Sequence, residues 1–307
     1  MRRLALHVLL LALPFALIAA IVAWIDPFAY FPWDAKRVDA AKQDIAYRML
    51  PPLSKLAAYR NDPMPNLLLG DSRMASLNAA RIDSLSGRRV ANLGFGGGSL
   101  DEAMRTFWYA DHLVKLESAT FGVNLDLYNE SNAKDRVTGV EKILANPLLY
   151  VFDRIVLRTT LYDLQHAASG REPVIGVPPM DKERFWKYQL DVTARIAFES
   201  YRYPTSYRTR LEAIAAHCRE RGIRLRFVIF PEHSDLAAVS ARYGLENAGQ
   251  RMAADLAAIG ETVDLRHAVD ITDRDQYIDP YHFGPAIGTW IVDRLWGAEA
   301  GGNRAAQ

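Results

Sequence analysis

Hydrophobic residues are concentrated at the start of the sequence, where residues 4–25 contain no Asp, Glu, Lys or Arg. About 20 apolar residues are enough to cross the hydrocarbon core of a bilayer. A cleaved signal peptide is the alternative, but its apolar region is shorter and ends at a small-x-small site. The best cleavage positions here, after Ala20 or Ala23, have Ile two residues earlier. The pattern therefore predicts one uncleaved transmembrane helix.

Charged and aromatic residues flank this predicted helix. Arg2 and Arg3 precede it, and such basic flanks remain on the cytoplasmic side. We therefore expect a single-pass protein of a bacterial inner membrane, with its main body facing the periplasm or the cell exterior. The aromatic, proline-rich residues 26–33 follow, and aromatic side chains favour membrane interfaces. Residues 1–33 are thus expected to form the anchor and its interfacial collar.

Beyond Pro65, short apolar runs alternate with amphipathic stretches of helical period. The runs predicted as strands are residues 66–69, 90–93, 119–128, 224–230 and 262–265. The stretches predicted as helices, one of them before Pro65, are residues 35–59 with a break at Pro51-Pro52, 99–116, 151–166, 205–221, 236–259 and 285–296. Strands that alternate with helices indicate a parallel sheet covered on both faces. We expect a three-layer α/β/α domain over residues 34–297 with a central, mostly parallel sheet.

Residues 130–204 interrupt this alternation with prolines and several aromatic residues. Apart from the helical stretch at 151–166, the segment is expected to be loop-like. Such a long insertion between a strand and its following helix is typical of a lid or a docking surface. At the end of the sequence, residues 298–307 are rich in Ala and Gly and are predicted to form a flexible tail.

Composition and charge exclude several classes of function. The 307 residues include 37 Lys and Arg against 36 Asp and Glu, a formal net charge of +1. This balance provides no global field for nucleic acid, so no nucleic-acid partner is expected. Cys218 is the single cysteine, which rules out an intramolecular disulfide and a cysteine-based zinc site. No cofactor and no metal ion are expected.

Candidate chemistry lies in two polar loops at strand–helix junctions. Ser72 directly follows the first strand, where a hydroxyl is presented at the carboxyl edge of the sheet. Asp279 and His282 precede the last helix, and a serine nucleophile needs a base and a group that orients this base. Each feature has a structural alternative, since Ser72 can simply cap a helix. Likewise, Asp279 can form a turn and His282 can be a surface residue.

A glycine-rich loop, residues 92–98, ends the second strand. Glycine lets bare backbone approach a ligand, so an N–H group here can donate to an oxyanion. A dinucleotide-binding loop and a plain turn are the alternatives. The G-x-G-x-x-G fingerprint is not matched, because Gly94 and Gly96 are followed by Ser99 where the third glycine would stand.

Together these loops resemble the motif blocks of the SGNH/GDSL family of serine esterases and acyltransferases. Gly70-Asp71-Ser72 resembles the first block, residues 92–97 resemble the second, and Asp279-x-x-His282 resembles the last. The resemblance covers roughly residues 66–296, with 130–204 outside it. It implies an SGNH-type, flavodoxin-like arrangement of the α/β domain.

The resemblance also implies roles for individual residues. Ser72 would be the nucleophile, His282 the general base and Asp279 the group that orients it. The N–H groups of Ser72 and Gly97 would donate to the oxyanion. The implied function is a membrane-anchored, extracytoplasmic serine esterase or O-acyltransferase that acts on acyl groups of a cell-envelope glycan or a related small ester.

One block departs from the family pattern. The family's third block is Gly-x-Asn-Asp, whose Asn completes the oxyanion hole, whereas here Gly122-x-Asn124 is followed by Leu125. The candidates for this donor are Asn124, Asp126 and Asn129, of which we favour Asn129 because it lies nearest the expected end of the strand. This departure is similar to the divergent, membrane-anchored branch that includes periplasmic polysaccharide O-acetyltransferases and the teichoic-acid D-alanyl transfer protein.

Further residues near the predicted strand ends are candidates for substrate contacts. Asp71 is expected to brace the serine turn, Arg73 to meet an anionic group and His233 to touch substrate, although a loop histidine with satisfied hydrogen bonds is the alternative for His233. The second hypothesis for function is a catalytically inactive scaffold of an envelope polysaccharide modification system on the same fold. A third is a regulatory partner of a multi-pass membrane acyltransferase, docked through the anchor helix.

Overall fold

The computed structural model describes residues 1–31, 40–176 and 180–304 and has an α/β fold. The strands are β1 (Asn66–Leu69), β2 (Val90–Asn92), β3 (Ser118–Gly122), β4 (Arg224–Ile229) and β5 (Glu261–Asp264). The helices are α1 (Arg2–Ile25), α2 (Ala40–Met49), α3 (Pro51–Asn61), α4 (Ser72–Ala75), α5 (Ala79–Ser86), α6 (Leu100–Leu113), α7 (Val137–Ala145), α8 (Pro147–Phe152), α9 (Arg154–Ser169), α10 (Lys182–Tyr188), α11 (Arg195–Glu199), α12 (Tyr207–Arg221), α13 (Ser234–Arg242), α14 (Glu246–Ile259) and α15 (Pro285–Arg304). A π-helix at Gln189–Ala194 and a 3-10 helix at Arg274–Gln276 complete the regular structure of the described residues.

The five strands form one sheet in the order β2-β1-β3-β4-β5, and every neighbouring pair is parallel. Leu68 on β1 pairs with Asn92 on one side and with Thr120 on the other. The direction of winding therefore reverses next to β1, and ligands of such sheets bind at the carboxyl edge near this reversal. The prediction of an α/β fold with a central parallel sheet is confirmed.

The third strand is shorter than the sequence predicts. β3 ends at Gly122, and the following residues fold into a turn in which the N–H groups of Leu127 and Tyr128 donate to the carbonyl of Asn124. Leu127 and Tyr128 are nonetheless buried. The prediction of a strand over 119–128 is wrong at its carboxyl end, because this apolar run is buried by packing and not by strand pairing.

Two further predictions are corrected, one of a single helix and one of a loop-like insertion. Residues 236–259 form two helices, α13 and α14, which are interrupted near Gly244, a residue with a φ of 68° in the left-handed region. The insertion at 130–204 is largely helical and not loop-like, since it contains α7 to α11 and the π-helix. Capping side chains explain part of this difference, because Asn146 and Asp153 accept hydrogen bonds from the first turns of α8 and α9.

Other helix ends agree with the sequence signals. Ser99 and Glu102 form the expected capping box at the start of α6. Gly222, with a φ of 71°, ends α12. The last helix continues to Arg304, through part of the predicted tail. Residues 305–307 of that tail, residues 32–33 of the predicted collar and residues 35–39 of the first predicted helix of the body lie outside the described residues.

Contacts divide the chain into two compact units. The first consists of Met1–Asp62 and Arg136–Pro178, and the second of Pro63–Asp135 and Pro179–Gln307. The second unit holds the whole sheet, and its core includes Leu68 of β1 and apolar residues of β4 and α15. Residues 179–204 of the insertion thus belong to the unit that carries the sheet.

The first unit contains the apolar N-terminal helix. Within α1, Leu6–Ile25 has a mean hydropathy of 2.8 and is the one described helix that is long and apolar enough to span a membrane. The chain turns sharply after it at Asp26, whose buried carboxylate accepts hydrogen bonds from the N–H groups of Tyr30 and Phe31 and from the hydroxyl of Tyr150. The start of the predicted collar is therefore folded against the unit.

Candidate active site

The loop after β1 places a serine at the start of a short helix. Asp71 is the N-cap residue of α4, and its Oδ1 accepts a hydrogen bond of 2.9 Å from the N–H of Arg73. Ser72 is the first residue of α4. The N–H groups of a first helical turn have no partner inside the helix and are available to acceptors outside it. Asp71 thus holds the turn that presents both the hydroxyl and the N–H of Ser72.

Three side chains from the loop after β1 and the loop before α15 form a continuous hydrogen-bonded chain. Ser72 Oγ lies 2.6 Å from His282 Nε2, and His282 Nδ1 lies 2.7 Å from Asp279 Oδ2. Asp279 is buried, whereas His282 is partly exposed. With Nδ1 protonated, the imidazole donates to Asp279 and accepts from the Ser72 hydroxyl, which is the arrangement of a serine nucleophile, its base and an orienting carboxylate.

The loop before α15 fixes the carboxylate of Asp279 through backbone bonds. Its Oδ1 accepts from the N–H groups of Tyr281 and His282, at 2.8 and 3.2 Å. The N–H of Ile278 in turn donates to the carbonyl of His282 at 2.8 Å. These bonds occupy one carboxylate oxygen and leave Oδ2 for the imidazole. Hydrogen bonds within this loop therefore orient Asp279 and His282 independently of Ser72.

Asn92 fastens the glycine-rich loop to the helix that follows the serine. Its Nδ2 donates to the carbonyls of Met74 and Leu77, and its Oδ1 accepts from the N–H of Gly94. A Cβ added at Gly94 would lie 2.7 Å from the nitrogen of Ala75, closer than side chains pack in proteins. Glycine at this position therefore lets the two loops touch backbone to backbone.

Gly97 lies further along the same loop, with a φ of 60° that favours glycine. It lines the same cavity as Ser72 and His282. Backbone N–H groups at helix N-termini and in glycine turns are typical oxyanion donors. The structure thus brings the two residues expected to donate through their backbone, Ser72 and Gly97, to the cavity that contains the serine hydroxyl.

Arg73 is buried at the centre of a charged cluster next to the serine. Its guanidinium pairs with Asp71, with Asp126 at 2.7 Å and with Glu232. Burial alone would lower the pKa of Arg73, but Asp126, Asp71 and Glu232 raise it above its ordinary value. Because every polar edge of the guanidinium faces a carboxylate, Arg73 joins the loops after β1, β3 and β4 and is not open to an anionic substrate.

Glu232 was not singled out from the sequence, although His233 beside it was. Burial raises the pKa of Glu232 to about 7, against the opposing effect of Arg73. One arginine in this cluster faces three carboxylates. A proton on Glu232 near neutral pH relieves part of this excess negative charge.

The residues weighed as the third oxyanion donor are all held by other groups. Asn124 is buried, and its side chain bonds both the N–H and the carbonyl of Phe230. Asp126 pairs with Arg73. Asn129, the favoured candidate, lines the cavity, but its Nδ2 donates to the carbonyl of Ala197 at 3.0 Å and its Oδ1 accepts from two backbone N–H groups.

His233 lies away from the cavity that Ser72 and His282 line. Its ring is buried, Nδ1 accepts from the N–H of Asp235, and Nε2 lies 3.1 Å from the carbonyl of Thr272. His233 is therefore the N-cap residue of α13. The expectation that it touches substrate is not met by this geometry, and the alternative of a satisfied loop histidine describes it.

A cavity of about 500 Å³ opens beside Ser72 and His282. This volume is in the range of small-molecule sites. Its lining includes the polar residues Asn132 and Lys134 and the apolar residues Val192 and Ile196. Val192 belongs to the π-helix and Ile196 to α11, so part of the insertion lines the site.

Gln189 and Tyr281 are two polar side chains that line this cavity. Gln189 opens the π-helix and is 8% exposed. The hydroxyl of Tyr281 is buried and has no hydrogen-bond partner among the described residues, and burial raises its pKa, so it keeps its proton. Unpaired polar groups in a buried site are costly unless a ligand or water satisfies them. Sequence patterns gave no signal for Gln189, because it follows no strand and belongs to no motif.

In the part of the chain that the structure describes, no cluster of three or more His, Cys, Asp or Glu side chains is suited to hold a metal ion. No protein-family model and no curated protein matches this sequence. The geometry of the site and the motif resemblance therefore carry the functional inference.

Proposed function

We propose that this chain is a membrane-anchored serine esterase or O-acyltransferase of the SGNH/GDSL type. The observation that carries the proposal is the chain of contacts from Ser72 Oγ through His282 to Asp279, at 2.6 and 2.7 Å. The strand order β2-β1-β3-β4-β5, which is that of flavodoxin-like sheets, supports it too. The nucleophile then lies at the reversal of winding, where such sheets bind ligands.

In the first half of the reaction, Ser72 Oγ attacks the carbonyl carbon of an ester while His282 Nε2 takes the hydroxyl proton. Asp279 stabilises the imidazolium through its bond to Nδ1. The negative charge that develops on the carbonyl oxygen faces the N–H groups of Ser72 and Gly97. Collapse of this intermediate breaks the C–O bond of the ester. The released alcohol takes the proton from His282, and the acyl group remains on Ser72.

In the second half, water or an acceptor hydroxyl attacks the acyl-serine, and His282 takes its proton and returns it to Ser72 Oγ. Water gives an esterase and a sugar hydroxyl gives a transferase. The lining offers apolar contacts for an acyl group at Val192 and Ile196, and polar contacts for a glycan or alcohol at Asn132 and Lys134. An envelope glycan fits a protein whose N-terminal helix lies in the membrane with its body on the periplasmic or outer side.

The test is hydrolysis of p-nitrophenyl esters by the full chain in detergent, with Ser72→Ala compared with Ser76→Ala. Ser76 lies one turn further on, and its hydroxyl donates to the carbonyl of Arg73. We expect Ser72→Ala to lower kcat by about 10³-fold or more, because nucleophile and base act as a unit. Ser76→Ala should retain most activity. Equal activity of the two variants would refute the proposal.

The contact between Ser72 and His282 favours an enzyme over the inactive scaffold, which needs no such contact. The hydrogen bonds that Asn124 and Asn129 already make favour the scaffold, because they hold both carboxamides to backbone groups and not to an oxyanion site. Two backbone donors still provide an oxyanion site. The scaffold hypothesis predicts full function in cells for Ser72→Ala, whereas the enzyme hypothesis predicts its loss.

A further inference from the structure

The first unit exposes large apolar side chains on two consecutive helices of the insertion. On α8, Leu148, Leu149 and Phe152 are 66, 49 and 42% exposed. On α9, Leu161 and Leu164 are 65 and 40% exposed. We call these five residues the α8–α9 apolar face. Contiguous apolar surface of this kind marks a site of contact with a partner or a membrane.

The α8–α9 apolar face is continuous with the apolar helix α1. Both α8 and α9 contact α1, and the ring of Phe152 meets the ring of Phe15 edge-on, with 6.3 Å between centroids. Phe15 precedes Ile25 by ten residues, which is about 15 Å along a helix. A side chain that touches Phe15 therefore lies alongside the apolar length of Leu6–Ile25 and not beyond its end.

The backbone of these helices suits a medium that offers no hydrogen bonds. The Oδ1 of Asn146 accepts from the N–H groups at the start of α8, and the Oδ1 of Asp153 accepts from those at the start of α9. The hydroxyl of Tyr150, between the exposed leucines and Phe152, bonds Asp26 at the end of α1. In lipid, backbone groups must be satisfied inside the protein, and these caps satisfy two of the N–H groups at the start of each helix.

The pattern along α9 is that of a helix at a lipid interface. The buried face of α9 consists of Val156, Thr159, Thr160 and Asp163. The exposed apolar stripe formed by Leu161 and Leu164 lies beside that face, and the adjoining polar side carries Arg154 and Arg158. Arginines next to an exposed leucine stripe place their charges at lipid headgroups while the leucines enter the acyl chains.

We propose that the α8–α9 apolar face is embedded in the phospholipid bilayer that α1 spans. The protein is then attached to the membrane both by α1 and by part of its insertion. The inference rests on the membrane-spanning role of α1 and goes beyond the single-pass anchor of the proposed function. It is independent of Ser72 and of the reaction. It gives residues 147–164 a membrane-binding role that a lid over the site would not have.

The test measures the surroundings of nitroxide spin labels on the full chain in vesicles of phosphatidylethanolamine and phosphatidylglycerol. Labels are attached to Leu149→Cys, Phe152→Cys and Leu161→Cys in a Cys218→Ala background, one at a time. Collisions with oxygen report lipid, and collisions with a water-soluble nickel chelate report water. Ile278→Cys is the matched control, because Ile278 is an apolar residue of the sheet unit with 55% exposure.

At positions 149, 152 and 161, oxygen collisions are expected to exceed chelate collisions several-fold, with the reverse at Ile278. Chelate collisions like those at Ile278 would overturn the proposal, and so would low collisions with both reagents, which mean a protein partner covers the face. A label at Leu11→Cys in α1 tests the spanning role of α1 separately from the embedding of the α8–α9 apolar face. Water there refutes the spanning role of α1, whereas lipid at Leu11 with water at 149 and 161 refutes only the embedding of the α8–α9 apolar face. Unchanged melting temperatures of the labelled variants exclude misfolding.

Discussion

His282 is the residue on which the proposed chemistry depends most. Its imidazole connects Ser72 to Asp279, and both of its ring nitrogens are engaged. Asp279 in turn is fixed by the N–H groups of its own loop. The imidazole is therefore held in one orientation before substrate arrives, which is the preorganisation that the proposed general-base role requires.

Gln189 is predicted to bind substrate. Its side chain lines the cavity, and a carboxamide can donate to or accept from a polar group of the substrate. Gln189→Ala should lower kcat/KM about tenfold, equivalent to one neutral hydrogen bond, without lowering the melting temperature. Steady-state kinetics with the exposed residue Gln250→Ala as control test this. A large loss of stability with unchanged kinetics would show that Gln189 is structural.

Glu232 is predicted to make the fold sensitive to pH. Its pKa rises from 4.5 to about 7 because of burial, so the folded state retains a proton that the unfolded state has lost. This group therefore stabilises the fold less as pH rises from about 5 to about 7. Glu232→Gln removes the effect, and its melting temperature relative to the parent should increase between pH 5 and pH 8. Parallel pH profiles for the two proteins would contradict the prediction.

At the scale of elements, the serine turn, the glycine loop and the loop before α15 act as one assembly. Asn92 ties the glycine loop to the serine helix, and Arg73 ties the serine turn to the loops after β3 and β4. These connections all lie at the carboxyl edge of the sheet. The position of Ser72 thus depends on backbone contacts between loops as much as on its own strand.

Gly94→Ala should disturb this assembly. Its Cβ would lie 2.7 Å from the nitrogen of Ala75, so the serine helix must move. We expect a loss of about 1–3 kcal/mol in the free energy of unfolding and a clear fall in kcat. Gly139→Ala is the control, since nothing lies within 4 Å of its added Cβ. Gly139 is exposed in the first turn of α7, where alanine should be neutral or stabilising by up to about 1 kcal/mol. Similar losses in both variants would contradict the role of Gly94.

The candidate residues that could be predicted from the sequence are those that lie at junctions between predicted strands and helices. Ser72, Gly97 and the pair Asp279 and His282 each follow a strand or precede a helix, so their spacing alone placed them at one edge of the sheet. β3 was predicted too long because the buried run that ends at Tyr128 has strand-like composition without strand pairing. Long-range contacts leave no periodic signal, and for this reason the pairing of Arg73 with Glu232 could not be predicted.

Insertions are also harder to predict, because the long-range contacts that position them leave no periodic signal in the sequence. The π-helix that carries Gln189 has no turn chemistry or periodicity that marks it as a wall of the site. The carboxamides of Asn124 and Asn129 can be assigned only when their backbone partners are known, because an Asn after a strand suits both a structural bond and an oxyanion donor. The motif resemblance placed the third block but not its hydrogen bonds.

At the scale of the whole molecule, the proposed membrane anchor depends on the apolar helix α1. Leu6–Ile25 combines length and hydropathy suited to a bilayer. The intact chain should stay in the membrane fraction after alkaline carbonate washing and leave it only with detergent. Its N-terminal sequence should include residues 4–25. Release by carbonate, or a mature chain that begins after Ala20 or Ala23, would contradict the anchor.

The central claim is that Ser72 becomes covalently acylated with His282 as its base. The most direct measurement is labelling of the full chain in detergent by a fluorophosphonate, followed by mass spectrometry of its peptides. The account predicts one phosphonylated site, at Ser72, with labelling lost in Ser72→Ala and strongly reduced in His282→Ala. Folded parent protein that remains unlabelled, or a label on another serine that persists in Ser72→Ala, would contradict it.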